Sequence, residues 1–502
     1  MSDLPAGWAE CTLEDLLGPL NDGKILHQGW SPQCESVPSA EGEWGVLKTT
    51  AVQDGFFLEE ENKRLPAALD PKSELEVQPG DLLMTCAGPR SRCGVICYVS
   101  KTRTKLIFSG KIYRFRPNSN HVEPKFLTHL LRTDELKEKI DEIKTGISES
   151  GMNMTRDRFF SLPVRLAPYA EQTRIAAKLD ELLAQVDTLK ARIDGIPALL
   201  KRFRQSVLAA AVSGHLTEEW RKSNPQKTTE SMLKGFTPLP PPPRYKSRSD
   251  AFIKGVKATA IGKPTERPIN AWEWVPLVQI AKMESGHTPS RATPEYWEGN
   301  IPWIGIRDAR KNHEKVIFET EQKTNTLGLE NSAARLLPKD TICISRTASV
   351  GYVVKMGCPM ATSQDFVNWI PTKYVDPDWL KWLFVAEQES LFRFGKGTTH
   401  TTVYFPEWLS MHIALPHIDE QREIARRVEQ LLALADQLEA RVKATQTRID
   451  RLTQSILAKA FRGELVPQDP NDEPASVLLE RIKAQRAAEP KAKRGRGAAK
   501  LS

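Results

Sequence analysis

The sequence lacks the short motifs that identify most nucleotide-binding and hydrolytic enzymes. A phosphate-cradling Gly-x-x-x-x-Gly-Lys-Ser/Thr loop is absent, because the four Gly-Lys pairs are followed by Ile, Ile, Pro and Gly. The zinc-protease motif His-Glu-x-x-His, the hydrolase motif Gly-x-Ser-x-Gly and the Cys-x-x-Cys motif are absent as well. We therefore predict that this chain carries no catalytic site of its own.

Paired cysteines and long apolar runs are missing too. Cys86, Cys93 and Cys97 form the tightest cysteine group, and they lie in apolar, strand-like sequence with no histidine near them. This favours buried free thiols over a zinc site. No apolar run approaches the ~20 residues of a membrane span, and the first residues, MSDLPAGW, do not resemble a signal peptide. We expect no bound metal, no membrane association and a cytoplasmic location.

The excess of positive charge is small for a chain of this length. Lys and Arg number 71 against 63 Asp and Glu, which gives a formal charge of +8 and a pI near 9.0. Part of this excess lies in the last residues, at Lys491, Lys493, Arg494 and Arg496. A nucleic-acid partner and an ordinary solvated surface explain such a balance about equally well.

One stretch of the sequence occurs twice. Residues 171–216 match residues 420–465 without a gap, at a constant offset of 249 residues. Glu171, Gln172 and Ile175 open the first copy, and the same residue types open the second. A gapless match of this length indicates a duplicated unit rather than shared helical composition.

Both copies show the apolar spacing of a coiled coil. The predicted seam positions step by three and four residues, and they are Leu179, Leu182, Val186, Leu189, Ile193 and Leu200 in the first copy and Val428, Leu431, Leu438, Val442, Ile449 and Leu452 in the second. A helix with so narrow an apolar stripe needs a partner. The other copy in the same chain, paired antiparallel, is the favoured partner, and homodimerisation is the alternative. Gly195 and Pro197 predict a kink in the first helix.

The segments in front of the two helices are predicted to share one mixed α/β fold. Trp272 and Leu277 repeat the spacing of Trp8 and Leu13. Strands are predicted at 45–48, 81–85, 94–99 and 111–116, and a helix at 126–143. Between the matching anchors the two segments diverge, which suggests two scaffolds of one fold with different ligands of the same class.

The loops of both segments carry polar and basic side chains suited to phosphates and base edges. The candidate DNA-binding residues are Lys24, Lys48, Thr49, Arg90, Arg92 and Lys111 in the first segment, and Arg307, Arg346, Thr347, Gln364, Lys396, Thr398, Thr399 and His400 in the second. For any one of them a solvated loop position is the better interpretation. The set as a whole is what indicates DNA binding.

The chain resembles the specificity subunit of type I restriction–modification systems over nearly its whole length. The shared features are the helix starts, the end of the first helix and the domain openings, found here as Pro168-Tyr169-Ala170-Glu171-Gln172 with Ile175, Pro416-His417-Ile418-Asp419-Glu420-Gln421 with Ile424, residues 200–211 followed by Ser213-Gly214, Leu4-Pro5-Ala6-Gly7-Trp8 and Trp272-Glu273-Trp274-Val275. The first domain has Glu10 in place of the second tryptophan of that opening.

The resemblance implies an α+β fold. Two mixed α/β target-recognition domains would be separated by two long helices that pair as an antiparallel coiled coil, with pseudo-twofold duplication. The predicted segments are a first target-recognition domain at 1–166, a first long helix at 167–222, a Pro-rich basic linker at 223–267, a second target-recognition domain at 268–415, a second long helix at 416–466, and a short amphipathic segment with a basic disordered tail at 467–502.

By the same resemblance, each domain reads one half of an asymmetric, two-part site in double-stranded DNA. The helices would set the spacer and dock two modification subunits. Those subunits would bind S-adenosylmethionine and methylate adenine, while restriction subunits would use ATP and Mg²⁺, so this chain would bind no cofactor. Two alternatives remain: a coiled-coil scaffold whose domains bind proteins, and a methyltransferase or nuclease fused to a specificity region.

Overall fold

The chain forms two compact units. The structure is a computed structural model that describes residues 4–118, 120–146, 148–240, 242, 253–269, 271–347, 349–396 and 401–488. The first unit consists of Met1–Asp194 with Ala444–Ser502, and the second of Gly195–Lys443. Among the described residues, no helix is long and apolar enough to cross a lipid bilayer. Each unit contains one mixed α/β domain and a segment of each long helix.

The first domain is built from short strands and four short helices. Its strands are β1 (Ala9–Thr12), β2 (Leu17–Gly18), β3 (Leu26–Gln28), β4 (Gly45–Leu47), β5 (Asn62–Arg64), β6 (Leu82–Thr85), β7 (Ala87–Gly88), β8 (Ile96–Tyr98), β9 (Leu106–Phe108), β10 (Ile112–Pro117), β11 (Lys144–Thr145), β12 (Met152–Met154) and β13 (Pro163–Leu166). Its helices are α1 (Leu13–Leu16), α2 (Pro124–Leu130), α3 (Asp134–Glu142) and α4 (Arg156–Phe160). The single helix predicted at 126–143 is therefore two helices. Thr133 caps the second one by accepting a hydrogen bond from the backbone N–H of Leu136 (3.3 Å).

The second domain repeats this architecture after the central helices α5 (Tyr169–Asp194), α6 (Ile196–Val212), α7 (Glu218–Ser223) and α8 (Thr229–Met232). Its strands are β14 (Ile253–Lys254), β15 (Thr259–Ile261), β16 (Glu273–Pro276), β17 (Ala281–Ser285), β18 (Ile301–Ile304), β19 (Val316–Ile317), β20 (Gln322–Thr324), β21 (Ile342–Ser345), β22 (Val353–Met356), β23 (Ala361–Thr362), β24 (Phe366–Pro371) and β25 (Met411–Leu415). Its helices are α9 (Leu277–Ile280), α10 (Ile306–Lys311), α11 (Thr326–Glu330), α12 (Pro377–Ala386), α13 (Gln388–Phe394) and α14 (Phe405–Leu409), followed by α15 (Ile418–Ala460) and α16 (Ala475–Ala488).

The two domains share one strand topology. The main sheet runs β3-β10-β6-β8 in the first domain and β17-β24-β21-β22 in the second, and neighbouring strands in both orders are antiparallel. A three-stranded sheet, β5-β4-β9 or β20-β18-β23, joins one antiparallel and one parallel pair in each. The predicted duplication of the domains is thus confirmed at the level of strand order. The seven cysteines are free thiols, and burial raises the pKa of Cys86 and Cys97 to about 12.

A buried Glu-Gln pair fixes the start of each long helix to its domain. The Glu171 carboxylate accepts a hydrogen bond from the Trp8 indole N–H (3.1 Å), and Glu420 accepts one from Trp272 (2.9 Å). The next residue bridges two segments of the same unit. Gln172 accepts from the backbone N–H of Glu123 (2.9 Å) and donates to the carbonyl of Ala167 (2.8 Å).

Gln421 repeats the contacts of Gln172 in the second unit. It accepts from the backbone N–H of Asp376 (2.8 Å) and donates to the carbonyl of Pro416 (2.9 Å). The glutamate and glutamine of both pairs are at most 1 % exposed. Because buried polar groups must keep their hydrogen bonds, these contacts determine how the helix leaves the domain.

The two long helices pair antiparallel, as predicted. In the first unit, Lys190 forms an ion pair with Asp450 (2.9 Å), and Gln446 donates to Asp194 (2.7 Å). In the second unit, Arg204 reaches both Asp436 (2.6 Å) and Glu439 (2.9 Å). In the first unit Lys190 thus faces Asp450 and Asp194 faces Gln446. In the second unit Arg204 faces Asp436, and further along the chain the carbonyl of Leu216 accepts from Arg427 (2.8 Å). The residue number thus falls along one helix as it rises along the other, which is the antiparallel arrangement.

The seam prediction is wrong for three leucines. Leu189, Leu438 and Leu452 are 48 %, 38 % and 46 % exposed, so they are not buried in a helix–helix seam. Among the other predicted positions, five are buried and four half-buried; the buried ones are Leu179, Val186, Leu200, Val428 and Ile449, and the half-buried ones are Leu182, Ile193, Leu431 and Val442. Heptad spacing identifies an apolar stripe, but it does not say whether another segment of the same chain covers it.

The first long helix is interrupted at Gly195, where a kink was expected. Helix α5 ends at Asp194 and α6 begins at Ile196, with Gly195 at φ −75° and ψ −22°. Pro197 has no backbone N–H to donate to the preceding turn, which explains why the helical hydrogen-bond ladder breaks here. The second copy lacks this Gly-x-Pro sequence, and α15 is continuous over 43 residues.

Part of the predicted linker and the predicted short amphipathic segment dock on the domains. In the segment at 223–267, the backbone N–H of Thr229 in helix α8 donates to the carbonyl of Ala271 (3.0 Å). Strands β14 and β15 of the same segment extend the sheet formed by β16 and β25. In the segment at 467–502, the N–H of Ala475 at the start of α16 bonds the carbonyl of Gly7 (2.8 Å). Both acceptors directly precede the duplicated tryptophan, so the repeat extends beyond the long helices. The basic residues of the tail, from Lys491 onward, lie outside the described residues.

The two buried glutamates differ in charge pairing, and this yields a stability prediction. Both oxygens of Glu420 accept: one from Trp272, the other from Arg221 (2.5 Å) and Thr217 (2.7 Å). Among the described residues Glu171 forms no ion pair, and burial raises the pKa of its carboxyl group. We expect Glu420→Gln to lower the free energy of unfolding by about 2–4 kcal/mol, because the amide nitrogen must face a donor and Arg221 loses its counter-charge.

Glu171→Gln is the matched control. Its amide oxygen can still accept from Trp8, and the change removes a carboxylate whose charged form is disfavoured by burial, so stability at neutral pH should change by less than about 1 kcal/mol. Urea unfolding of the full chain measures both variants. Equal losses for the two substitutions would contradict this interpretation.

Candidate nucleic-acid interface

Three of the predicted residues of the second domain come together at one end of the main sheet. Arg346 and Thr347 follow strand β21, and Gln364 comes two residues before its neighbour β24. Ser345 pairs with Phe366 at this end of the antiparallel ladder, and the backbone N–H of Arg346 donates to the carbonyl of Asp365 (2.8 Å). The strand register therefore places these side chains at one edge.

A short loop after α13 completes this edge. Lys396 and Thr402 exchange two backbone hydrogen bonds of 2.9 Å, and the N–H of Val403 donates to the carbonyl of Arg346 (2.9 Å). The hydroxyls of Thr347 and Thr402 lie 2.7 Å apart. Lys396 is exposed and forms an ion pair with Glu407 (3.2 Å). The predicted contacts Thr398, Thr399 and His400 lie outside the described residues, between the two ends of this loop.

Arg307 lines a cavity of about 490 Å³ beside the same edge. Asp365, whose carbonyl holds Arg346, lines it as well. The cavity also contains Arg291, which stacks against two tryptophan rings. Sequence reasoning did not single out Arg291. The aromatic platform that marks it forms only when separate strands and turns fold together.

In the first domain, Arg92 has a structural task. Its guanidinium donates to the carbonyls of Thr49 (2.6 Å) and Val52 (2.7 Å) and to the side chain of Gln53 (3.3 Å). These contacts tie the loop between β7 and β8 to the turn after β4. Thr49 contributes its backbone carbonyl to this arrangement, so Arg92 and Thr49 hold the scaffold.

Three other basic residues of this domain are paired with carboxylates. Arg90 contacts Asp141 (2.6 Å) and Glu149 (2.9 Å), and these hydrogen bonds raise the pKa of its guanidinium. The remaining two pairs are Lys48 with Glu61 at 2.8 Å and Lys24 with Asp22 at 2.9 Å. Exposed pairs of this kind contribute little to stability, so a phosphate can compete for these cations. Lys111 is exposed and has no ion pair in the described part of the chain.

The sequence prediction missed the β11–β12 hairpin of the first domain. The backbone N–H of Met154 at its end donates to the carbonyl of Cys86 (2.9 Å), as Val403 does to Arg346 in the second domain. The hairpin therefore occupies the position of the Lys396 loop. Its first residue, Lys144, contacts Asp141 (2.7 Å). The signal that could have identified it is its place between the last two helices of the domain, α3 and α4, matching α13 and α14.

Comparison with known proteins identifies the family. Residues 57–198 and 270–445 match the family described as the type I restriction modification DNA specificity domain. The chain belongs to this family. It is 30 % identical to the EcoKI specificity subunit of Escherichia coli strain K12 over 97 % of both chains, and 38 % identical to the EcoEI specificity subunit of Escherichia coli over 38 % of this chain and 31 % of that one. The predicted family is thus confirmed.

A solved structure shares the fold. It comes from a study of complex assembly and conformational transition of the type I restriction–modification system, with a TM-score of 0.59 and 17 % identity over 92 % of this chain and all of the other. The matching family model describes a DNA specificity domain, and the similar proteins are specificity subunits of type I restriction enzymes. The side chains at the two loop edges described above are therefore candidates for contact with DNA.

Arg92 and Lys111 test the division between scaffold and contact residues. Arg92→Ala should lower the free energy of unfolding by about 1–3 kcal/mol, because partly buried carbonyls lose their donor. Lys111→Ala should leave stability within about 0.5 kcal/mol, as for other exposed substitutions, and weaken DNA binding. Thermal unfolding and DNA titration of both variants measure this. A stable Arg92→Ala variant with reduced DNA affinity would show that Arg92 contacts DNA instead.

Proposed function

We propose that each domain of this specificity subunit reads one half of an asymmetric, two-part site in double-stranded DNA. The observation that carries the proposal is the difference between equivalent positions on one framework. Arg346 in the second domain corresponds to Cys86 in the first. The carbonyl of Arg346 accepts from the backbone N–H of Val403, and the carbonyl of Cys86 accepts from that of Met154. The main sheets that hold these residues share one strand order. Equal scaffolds with unequal loop side chains suit two half-sites of different sequence.

We further propose that the long helices dock two modification subunits. Leu189 corresponds to Leu438 across the repeat, and Phe203 corresponds to Leu452. All four side chains are between 37 % and 48 % exposed. Leu189 and Leu452 belong to the first unit, and Phe203 and Leu438 to the second. The second unit also exposes Leu199 and Leu434. The equivalence of the Leu189–Leu452 and Leu438–Phe203 pairs favours two copies of one partner, because large apolar groups gain free energy when a partner covers them.

The chemistry would then reside on the partners. The modification subunits would bind S-adenosylmethionine and methylate adenine, and restriction subunits would use ATP and Mg²⁺ for cleavage. This chain would contribute sequence recognition and assembly. A protein-binding scaffold is the competing function, and a mobility shift of DNA by the assembled complex distinguishes the two.

A domain exchange tests the reading of half-sites. Replacing residues 8–163 by the same domain of a relative should change one half of the recognised site and leave the other half unchanged. The physical reason is that each domain has its own core and its own loop edge. Selection of bound duplexes from a random library measures both halves. Simultaneous loss of both halves, with the complex still assembled, would contradict independent reading.

Substitutions in the exposed pairs test docking. Phe203→Asp with Leu438→Asp should remove one modification subunit, and adding Leu189→Asp with Leu452→Asp should remove the second. Each loss should amount to a roughly tenfold or greater weakening, as expected for apolar anchors at an interface. Native mass spectrometry of the complex counts the subunits. Ala440→Asp introduces the same charge at another exposed position of α15 and should retain both; loss of subunits in this control would argue against the assigned surface.

A further inference from the structure

Arg291 of the second domain is held between aromatic rings. Its guanidinium carbon lies 5.2 Å from the ring centre of Trp297 and 5.5 Å from that of Trp303. The two rings meet edge to face, with centres 5.1 Å apart. Trp303 is 3 % exposed, and its indole N–H donates to the carbonyl of His287 (3.1 Å). The platform is therefore fixed, and it limits the orientations available to the exposed guanidinium.

A single hydrogen bond further restricts the orientation of the Arg291 guanidinium. Its Nη2 donates to the side-chain oxygen of Gln322 (3.2 Å). Among the described residues this is its one hydrogen bond, whereas a guanidinium has five N–H groups. The group is thus held in one orientation with unused donors. A side chain that must recognise a ligand by two parallel hydrogen bonds needs this combination.

The surroundings of Arg291 favour a base edge over a phosphate. The cavity of about 490 Å³ is lined by Arg291, Arg307, Gln322, Glu321 and Asp365 among others. Its carboxylates would repel a phosphate group. The edge of a G·C pair instead presents acceptors on guanine and an amino donor on cytosine, which match the guanidinium and the carboxylates respectively. Asp308 also lines the cavity, but both its oxygens accept backbone N–H groups, from Gly305 (3.0 Å) and Glu321 (2.8 Å).

The cavity is continuous with the loop edge assigned to DNA. Asp365 lines the cavity and holds the backbone of Arg346. The Thr288 hydroxyl, three residues from Arg291, donates to the side chain of Gln364. Arg291 therefore belongs to the same surface as the residues predicted to contact DNA.

We propose that Arg291 reads a guanine in the half-site of the second domain, through paired hydrogen bonds to the guanine O6 and N7 atoms. This inference rests on the proposed function. Arg291 is then a specificity-determining residue, and the Trp297–Trp303 platform with Gln322 positions it. Lysine at this position keeps the charge but lacks the planar fork, so it cannot reproduce the paired contact.

The test measures binding of the full chain, assembled with its modification subunits, to duplexes varied at every position of the selected half-site. Arg291→Ala and Arg291→Lys should each lose discrimination at a single G·C position by about 5- to 150-fold, the range of one paired base contact. Preference at the other positions should stay within about twofold. Arg310→Ala is the matched control, because this exposed arginine of the same domain stacks on Tyr352 and donates to its hydroxyl (3.1 Å) outside the cavity.

Several results would overturn the inference. Uniform weakening across all sequences by Arg291→Ala, with a reduced salt dependence, would identify a phosphate contact. Full discrimination by the Arg291→Lys variant would exclude the paired contact. If the alanine variant is unstable in thermal unfolding, the lysine variant alone decides the question. An equal loss in Arg310→Ala would show a general charge effect. Failure of the proposed function is distinguishable, because the unsubstituted complex would then show no sequence preference at all.

Discussion

The buried Glu-Gln pair at the start of each long helix is the contact on which the rest of the structure depends. It joins three parts of one unit, since the glutamate accepts from a tryptophan at the domain opening and the glutamine bridges the segments before α2 or α12 and before the helix. A buried carboxylate or amide without its partners costs several kcal/mol. A substitution in the helix start would leave its hydrogen-bond partners unpaired. This explains why the sequence of the helix start is repeated so closely while the sequences of the domains diverge.

A rigid connection of this kind separates two tasks in the chain. The framework uses its polar groups internally: Arg92 holds backbone carbonyls, and Arg221 neutralises Glu420. The loop edges keep exposed basic groups: Lys111 has no ion pair in the described part of the chain, and Lys396 is exposed although it pairs with Glu407. Arg291 lies between these categories, because the framework orients it but leaves donors unused. Such preorganisation lowers the entropy cost of binding and favours discrimination between bases.

The sequence predicted the features that depend on local pattern. The gapless repeat, the antiparallel helix pair and the shared domain fold could be predicted, because the spacing of residues along the chain indicates each of them. Three seam leucines were misjudged because heptad spacing does not distinguish burial within the chain from an apolar surface left for a partner. The structural contacts of Arg92 could not be predicted, because its carbonyl partners at Thr49 and Val52 are distant in sequence. Arg291 was missed because its platform of Trp297 and Trp303 forms only in the folded domain. The short amphipathic segment was predicted, but its docking as α16 was not, and α8 was missed because it is only four residues long and lies in a segment predicted to be a linker.

The central claim is that one chain with two unequal loop edges on equal scaffolds specifies a two-part DNA site. Mapping of methylated adenines in the genome of cells that express this chain with its modification subunit tests it most directly. The account predicts one new asymmetric motif, interrupted by an unspecified spacer, with methyladenine in each half. An uninterrupted motif, or no new methylation although the complex assembles, would contradict it.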